Sequence, residues 1–353
     1  MKDLLSNRLK KARLMRGFSM EDLVRSMQGL VSKQAISKYE NGQMMPSSQV
    51  LDAIAKSLNL PVDYFFRQGI QIEQISFRRN DGHIPVRAER QMILVAQDKM
   101  ERYLHLEDLL AKDFIFKNPL KNRKISTMAD VEIAAQQLRI KWGAGNYPIL
   151  SVYEMMESVG VKIIEFEAGA DCALGFSTFV NKTIPLIVVN LSNNHTSERK
   201  RFTALHELAH LLLKFEKSVT DKERERLCHR FAGAFLCPAS VFQEELGHHR
   251  TAFTLGELVS LRCRYGISIA AIVHRAKDLG VITDAYYNHI YDTHIHANPM
   301  EKGWGAYPIM EHTDRYARLF QRALAENIVT GSEVQDLKEG IQYEINNNNL
   351  AVL

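Results

Sequence analysis

His206-Glu207-Leu208-Ala209-His210 is the richest stretch of chemistry in the chain, two imidazoles and a carboxylate within five residues. On a helix, residues i and i+4 share a face, with Cβ atoms about 5–6 Å apart. Both rings can then reach one metal ion at roughly 2.0–2.1 Å, the arrangement of zinc-dependent hydrolases with the H-E-x-x-H pattern. Glu207 sits one step round from His206, where it can take a proton from a water that the metal activates. The surrounding segment, Ser197 to Leu213, predicts a helix with Ser197 as N-cap and its charges early. Its second half is apolar nearly all round, which predicts burial. Histidines and an acid buried there need partners, either a metal or backbone hydrogen bonds.

A catalytic zinc site takes three protein ligands and keeps a fourth position open. Residues 220–236 offer the third ligand. Thr220 and Glu223 form the T-x-x-E signature of a helix start, and Pro238 marks its end. Along that helix Glu225, Cys228, His229, Ala232 and Phe235 or Leu236 share a face. The face is otherwise apolar, so Glu225 and His229 belong against the metal helix. Glu225 is the expected third ligand and Glu223 the fallback; the plainer alternative is an exposed acid in the charged run 221–226. Cys228 lies on the same helix and could also approach the metal.

The segment Arg201-Phe-Thr-Ala-Leu-His-Glu-Leu-Ala-His-Leu-Leu-Leu213, then Glu225-Arg-Leu-Cys-His-Arg-Phe-Ala232 and Phe235-Leu-Cys-Pro238, resembles the ImmA/IrrE family of metallopeptidases. Trp142-Gly143, Pro148-Ile149, Gly160-Val161, Gly175-Phe176-Ser177 and Val189-Asn190 follow the family's order upstream, so the likeness spans roughly residues 125–285. It implies a zincin-like α+β domain with a small sheet, with His206, His210 and Glu225 holding zinc (manganese as the alternative) and Glu207 as base. Members of that family cleave repressor proteins. Three positions depart from its pattern. Ala209 replaces glycine, a small-for-small change; Cys237 replaces a methionine before the proline; His229 stands where asparagine is usual. His229 is expected to support a ligand, with an added ligand or an oxyanion donor as alternatives. Leu174–Val180 and Ile184–Asn190 read as strands, and a strand beside the metal helix could bind an extended peptide by edge pairing.

The first seventy residues have a different character. Leu5, Leu9 and Ala12 make one helical face; Ser19 with Asp22 starts a second helix closed by Gly29. Ser32 starts a third, Lys33–Glu40, and Pro46-Ser47 lead into a fourth carrying Val50, Leu51, Ile54, Ala55 and Leu58. Residues 1–70 hold eleven Lys and Arg against six Asp and Glu, a charge of +5, whereas the whole chain is +4. All the excess positive charge therefore lies where phosphate binding would use it. Ser32-Lys-Gln-Ala-Ile-Ser-Lys-Tyr-Glu-Asn-Gly42 with Pro46-Ser47 resembles the phage-repressor-like (XRE/Cro) helix-turn-helix family. By that resemblance Ser32, Lys33, Gln34, Ser37 and Lys38 are the candidate contacts to a double-stranded DNA operator.

At 353 residues, 46% hydrophobic and 24% charged, the chain is ordinary globular protein, long enough for two or three domains. The expected division is 1–70 helix-turn-helix, 71–125 helical bridge, 126–285 peptidase-like, and 286–353 mostly helical. The whole is multidomain and mainly α with an α+β part. Early charge reads against a secretory signal, and no apolar run is long enough to span a membrane. Cys172, Cys228, Cys237 and Cys263 form no C-x-x-C pair and read as reduced, mostly buried thiols of a cytoplasmic protein. In the bridge, Met92, Ala96, Tyr103, Leu106 and Leu110 predict a packed face, for a homodimer or for a spacer. Tyr316, Leu319, Phe320, Ala323 and Leu324 predict another in the C-terminal region. His289, His294 and His296 read as a loop of solvated histidines, and Asn346–Asn349 as a frayed end. The composite suggests a DNA-binding regulator whose zinc endopeptidase cleaves a repressor, another copy of the chain or a partner protein. The alternatives are a regulator whose peptidase-like part only senses metal, ligand or partner, and an antitoxin-like partner binder.

Overall fold

The computed structural model describes residues 2–73, 75, 86–112, 115–166, 175–191 and 196–340. Cys172, Leu174 and the Asn346–Asn349 run lie outside them. Four helices open the chain: α1 (Lys2–Met15), α2 (Met20–Ser26), α3 (Lys33–Glu40) and α4 (Ser48–Ser57). Each of the last three starts on a serine whose hydroxyl accepts a backbone N–H three residues on, Ser19 from Asp22, Ser32 from Ala35 and Ser47 from Val50. Leu5, Leu9, Leu23, Ile36, Tyr39, Leu51 and Ile54 close over one another, with Tyr64 and Phe65 of the following 3₁₀ turn. One buried ion pair crosses this core. Arg13 meets Glu40 through two bonds of 2.6 and 2.8 Å and also donates to the Phe18 carbonyl.

The next helix, α5 (Val86–Leu109), is not a free spacer. Its buried face of Met92, Ala96, Met100, Tyr103 and Leu106 joins Ile164, Phe176, Val180, Leu186 and Val188 in one apolar cluster. On its other side Arg8 and Lys11 of α1 both pair with Glu101. After β1 (Lys124–Ile125) come α6 (Met128–Lys141), α7 (Val152–Ser158) and three strands, β2 (Lys162–Phe166), β3 (Gly175–Val180) and β4 (Ile184–Asn190). The strand order is β2-β4-β3, with β2 parallel and β3 antiparallel to β4, so β3 is an edge. Residues 71–73 lie antiparallel along one end of that edge. Ile72 stands opposite Val180, Glu73 N–H donates to Phe179, and Asn181 N–H donates to Gln71.

The sheet's other face meets α8 (Ser197–Leu212), followed by β5 (Lys214–Phe215), which pairs with β1, and α9 (Asp221–Leu236). Ile163, Ile187 and Val189 pack there with Ala204, Leu205, Leu208, Phe231 and Phe235. Helices on both faces explain why β4 is apolar at successive positions rather than at alternate ones. The rest is helical: α10 (Ala239–Leu246), α11 (Leu255–Tyr265), α12 (Ile269–Asp278), α13 (Asp284–Ile290), α14 (Arg315–Ala325) and α15 (Ser332–Lys338). Tyr316, Leu319, Phe320 and Ala323 of α14 complete the α5 cluster, whereas Leu324 is only partly buried.

Three local expectations are corrected. Thr196, not Ser197, caps α8, because the Ser197 hydroxyl is taken by the Glu311 N–H at 3.0 Å. His289, His294 and His296 are exposed, but His289 lies on α13 and His294 on the π turn Tyr291–Ile295 that continues it, with His296 as the cap that ends the turn. Cys228 and Cys237 are buried as expected, but Cys263 is only half-buried.

A polar layer lies between α7 and the irregular segment leading into α14. Glu157 accepts from the Thr313 hydroxyl at 2.6 Å, while its second oxygen is buried with no partner among the described residues. Burial pushes the Glu157 carboxyl up to about 7; the Thr313 bond opposes the shift and Asp314 adds to it. The neutral form thus favours folding. That contribution is full below the ordinary value of 4.5 and is lost as pH climbs through about 7. Glu157→Gln is therefore expected to match the wild type near about pH 4–5. At about pH 8 it should exceed it by up to roughly 3 kcal/mol in urea unfolding.

Candidate metal centre

Two helices build the site. α8 is pinned at its start by Arg201, fully buried, which donates to the carbonyls of Ile149, Leu150, Tyr265 and Gly266 and pairs with Glu311 at 2.8 Å. Gly266 ends α11 in the left-handed conformation with φ 61°, and a Cβ there would lie 2.6 Å from Arg201 Nε. The residue can only be glycine while that arginine holds its place. α9 begins with Thr220 and Glu223 bonded to each other's backbone as the sequence predicts. That settles the fallback ligand: the Glu223 carboxylate is taken by the Thr220 N–H and hydroxyl at 2.9 and 2.8 Å.

One turn later, three donors converge. His206 Nε2 and His210 Nε2 are 3.1 Å apart, and each lies 3.2 Å from an oxygen of Glu225. These donor atoms all fall within 4.8 Å of one another, and no other such group occurs among the described residues. Two donors about 2.1 Å from a tetrahedral ion sit roughly 3.4 Å apart, so the triangle fits a small divalent cation. Its chemistry fits too. Imidazole lone pairs facing each other and a carboxylate repel unless a proton or a cation lies between them. Burial by itself raises the Glu225 carboxyl, but hydrogen bonds and charge from both histidines outweigh it and hold it well below the usual range. His206 is fully buried, whereas the His210 and Glu225 side chains are 23% and 38% exposed, so the triangle opens to solvent on their side.

Glu207 is nearly buried and accepts from the Ser177 hydroxyl at 2.8 Å. Ser177 is the site residue that sequence reasoning passed over; its one signal was a small polar residue, beside Thr178, in the middle of a mostly apolar strand. Two residues earlier β3 needs glycine, since a Cβ on Gly175 would meet the Val188 carbonyl at 2.6 Å and approach Glu207 at 3.7 Å. His229 lies with its ring centroid 4.4 Å from that of His206 and 5.7 Å from Phe202. It packs against the first histidine and is not part of the donor triangle. The Cys228 sulfur is 3.6 Å from His210 Nδ1, on the side of the ring away from the triangle. The five residues proposed for DNA contact share α3 and its cap. Ser32, Lys33, Gln34 and Lys38 are exposed and Ser37 is half-buried. Lys33 also pairs with Glu21, and the Ser32 hydroxyl is engaged as the helix cap.

Fold and site together define a class of protein, a helix-turn-helix regulator of the DNA-binding kind that carries a peptidase-like domain. The sequence comparisons agree. Residues 9–65 match the helix-turn-helix family, and residues 156–277 match the IrrE N-terminal-like domain of a peptidase family. The chain is thus a fusion of an XRE-type helix-turn-helix with an ImmA/IrrE-type domain. No curated protein matches it. Two solved structures align along most of its length. One is Bacillus thuringiensis PlcR in complex with the peptide PapR7 and DNA, at 13% identity over 96% of this chain and 92% of that one. The other is apo ComR from S. thermophilus, at 12% identity over 96% and 98%. Both have a TM-score of 0.17, too loose an alignment to bear on fold or ligand. Among the described residues no helix is long and apolar enough to cross a membrane.

Metal titration tests the site directly. The chain is expected to bind one zinc ion per molecule, measured by elemental analysis after dialysis. His206→Ala, His210→Ala and Glu225→Gln should each lose it, and Glu207→Gln should keep it. Full zinc occupancy in the Glu225→Gln variant would remove that residue from the ligand set.

Proposed function

We propose that this chain is a DNA-binding transcriptional regulator whose peptidase-like domain is a zinc-dependent endopeptidase, acting on a repressor or other partner protein. The observation that carries the reading is the convergence of His206, His210 and Glu225 next to a carboxylate that is no part of their triangle. A bound zinc or manganese ion would supply a lowered water pKa and a Lewis acid for the scissile carbonyl. His206, His210 and Glu225 would hold it. Glu207 would take the proton from the attacking water and later return it to the leaving amine. Ser177, by donating to Glu207, keeps that carboxylate turned to one orientation. His229 supports the His206 ring.

The edge strand β3 suits an extended polypeptide. The chain's own residues 71–73 already pair with it, and the same antiparallel register continued would run past Ser177, whose side chain bonds Glu207. On the DNA side, Gln34 offers a bidentate amide to a base edge, Lys38 a charge to a phosphate, and Ser32, Lys33 and Ser37 shorter contacts along the same helix. The regulator is expected to work as a homodimer on a two-fold operator, with units at 1–70, 71–125, 126–285 and 286–353.

Cleavage is checked by mixing the full chain, loaded with zinc or manganese, with purified repressors and with further copies of itself, then separating the fragments. Defined fragments are expected from the wild type, and none from metal-loaded Glu207→Gln or after a chelator. Undiminished cleavage by Glu207→Gln overturns the role given to that residue. A wild type that binds metal but cleaves nothing favours the sensor reading. For the operator, the double variant Gln34→Ala/Lys38→Ala is expected to weaken binding at least tenfold in gel-shift titrations. Its metal content should be unchanged.

A further inference from the structure

We propose that Cys228 is a positioning residue for His210, its sulfur holding the far ring nitrogen so that Nε2 is presented to the ion site. The proposal rests on the metal-centre reading above and adds a residue to it. An imidazole that ligates through Nε2 must carry its proton on Nδ1, and that N–H needs an acceptor to fix the ring. Carboxylates, carbonyls or waters usually fill this role. Here the Cys228 sulfur stands 3.6 Å from Nδ1 and is the one partner that nitrogen has among the described residues.

The two histidines differ in what steadies them. His206 is fully buried, with the His229 ring 4.4 Å away on one side. The His210 side chain is 23% exposed, and its ring contact is with His206 alone among the described residues. Rotation about the last side-chain torsion of histidine has broad, nearly two-fold minima, so a half-free ring can turn its Nε2 away. Sulfur is a weak acceptor but is well placed here. Cys228 is fully buried and three residues after Glu225, so a single turn of α9 supplies one ligand and steadies another. The donor triangle is thereby set by two helices packed together.

Three substitutions separate positioning from packing. Cys228→Ala removes the acceptor, Cys228→Val removes it while keeping the volume, and Cys228→Ser keeps an acceptor of smaller size. Zinc affinity is measured on the full chain by competition with a chromophoric chelator, and metal-free melting curves report the fold. We expect both apolar variants to lose about tenfold or more in affinity, with Cys228→Ser within about threefold of the wild type. Cobalt substitution adds a spectroscopic readout. The wild type should lack a thiolate-to-cobalt charge-transfer band, and the apolar variants should shift the visible ligand-field bands. Equal affinity in all variants overturns the proposal, as does a serine variant as weak as alanine while valine binds normally. A thiolate band in the wild type overturns it by making Cys228 a ligand. A wild type that binds no zinc overturns the metal-centre reading and this inference with it, a result distinct from zinc bound equally by every variant.

Discussion

The packing of α8 against α9 is the constraint on which the site depends. Neither helix holds a metal set alone: α8 brings two imidazoles on one face, and α9 brings the carboxylate that closes the triangle to edges of 3.1 and 3.2 Å. What fixes the helices is largely apolar, with Leu205, Leu208, Phe231 and Phe235 in one continuous core. Arg201 adds direction. Its bonds to four carbonyls and one carboxylate fasten the start of α8 to three other segments, and an arginine so fully engaged cannot slide. A displacement of 1 Å between the helices would part the donors, so the site's precision is inherited from this core.

The three-stranded sheet is covered on both sides, and its two covers belong to different parts of the sequence. One is the α8–α9 pair that carries the donor triangle. The other is made by α5 and α14, separated by some two hundred residues of chain yet sharing Tyr103 and Tyr316 at 5.4 Å between ring centroids. Ion pairs continue the connection outward. Asp336 of α15 receives both Arg102 of α5 and Arg67 at the end of the helix-turn-helix unit, and Glu101 receives Arg8 and Lys11. The apolar face of α5 is therefore used inside the chain, in the role of neither dimer surface nor loose spacer.

What could be read from the sequence was whatever local spacing determines. The capping serines of α2, α3 and α4, the H-E-x-x-H register and the Thr220–Glu223 box follow from neighbours three or four residues apart, and the structure reproduces them. That Glu225 would turn toward the two histidines was legible as well, since an acid on an apolar helical face demands a partner. Long-range matters were not. That Ser197 would give up its capping role depended on Glu311, more than a hundred residues away. That Glu40 answers Arg13, or that Ser177 addresses Glu207, depended on elements meeting in space. Cys228 sat on the right face in the sequence, but a helical wheel does not say which atom of which ring it would touch.

Residues 71–73 have a double attachment. They leave the helix-turn-helix just after Arg67 and Gln68, whose carbonyls are held by Arg8, and they enter the sheet by bonding to Phe179 and Asn181. Peeling them away would strip the outer rail of β3 of its backbone partners, two residues from the serine that steadies Glu207. The exit from the helix-turn-helix and the strand edge that carries Ser177 thus share one short seam of amide bonds.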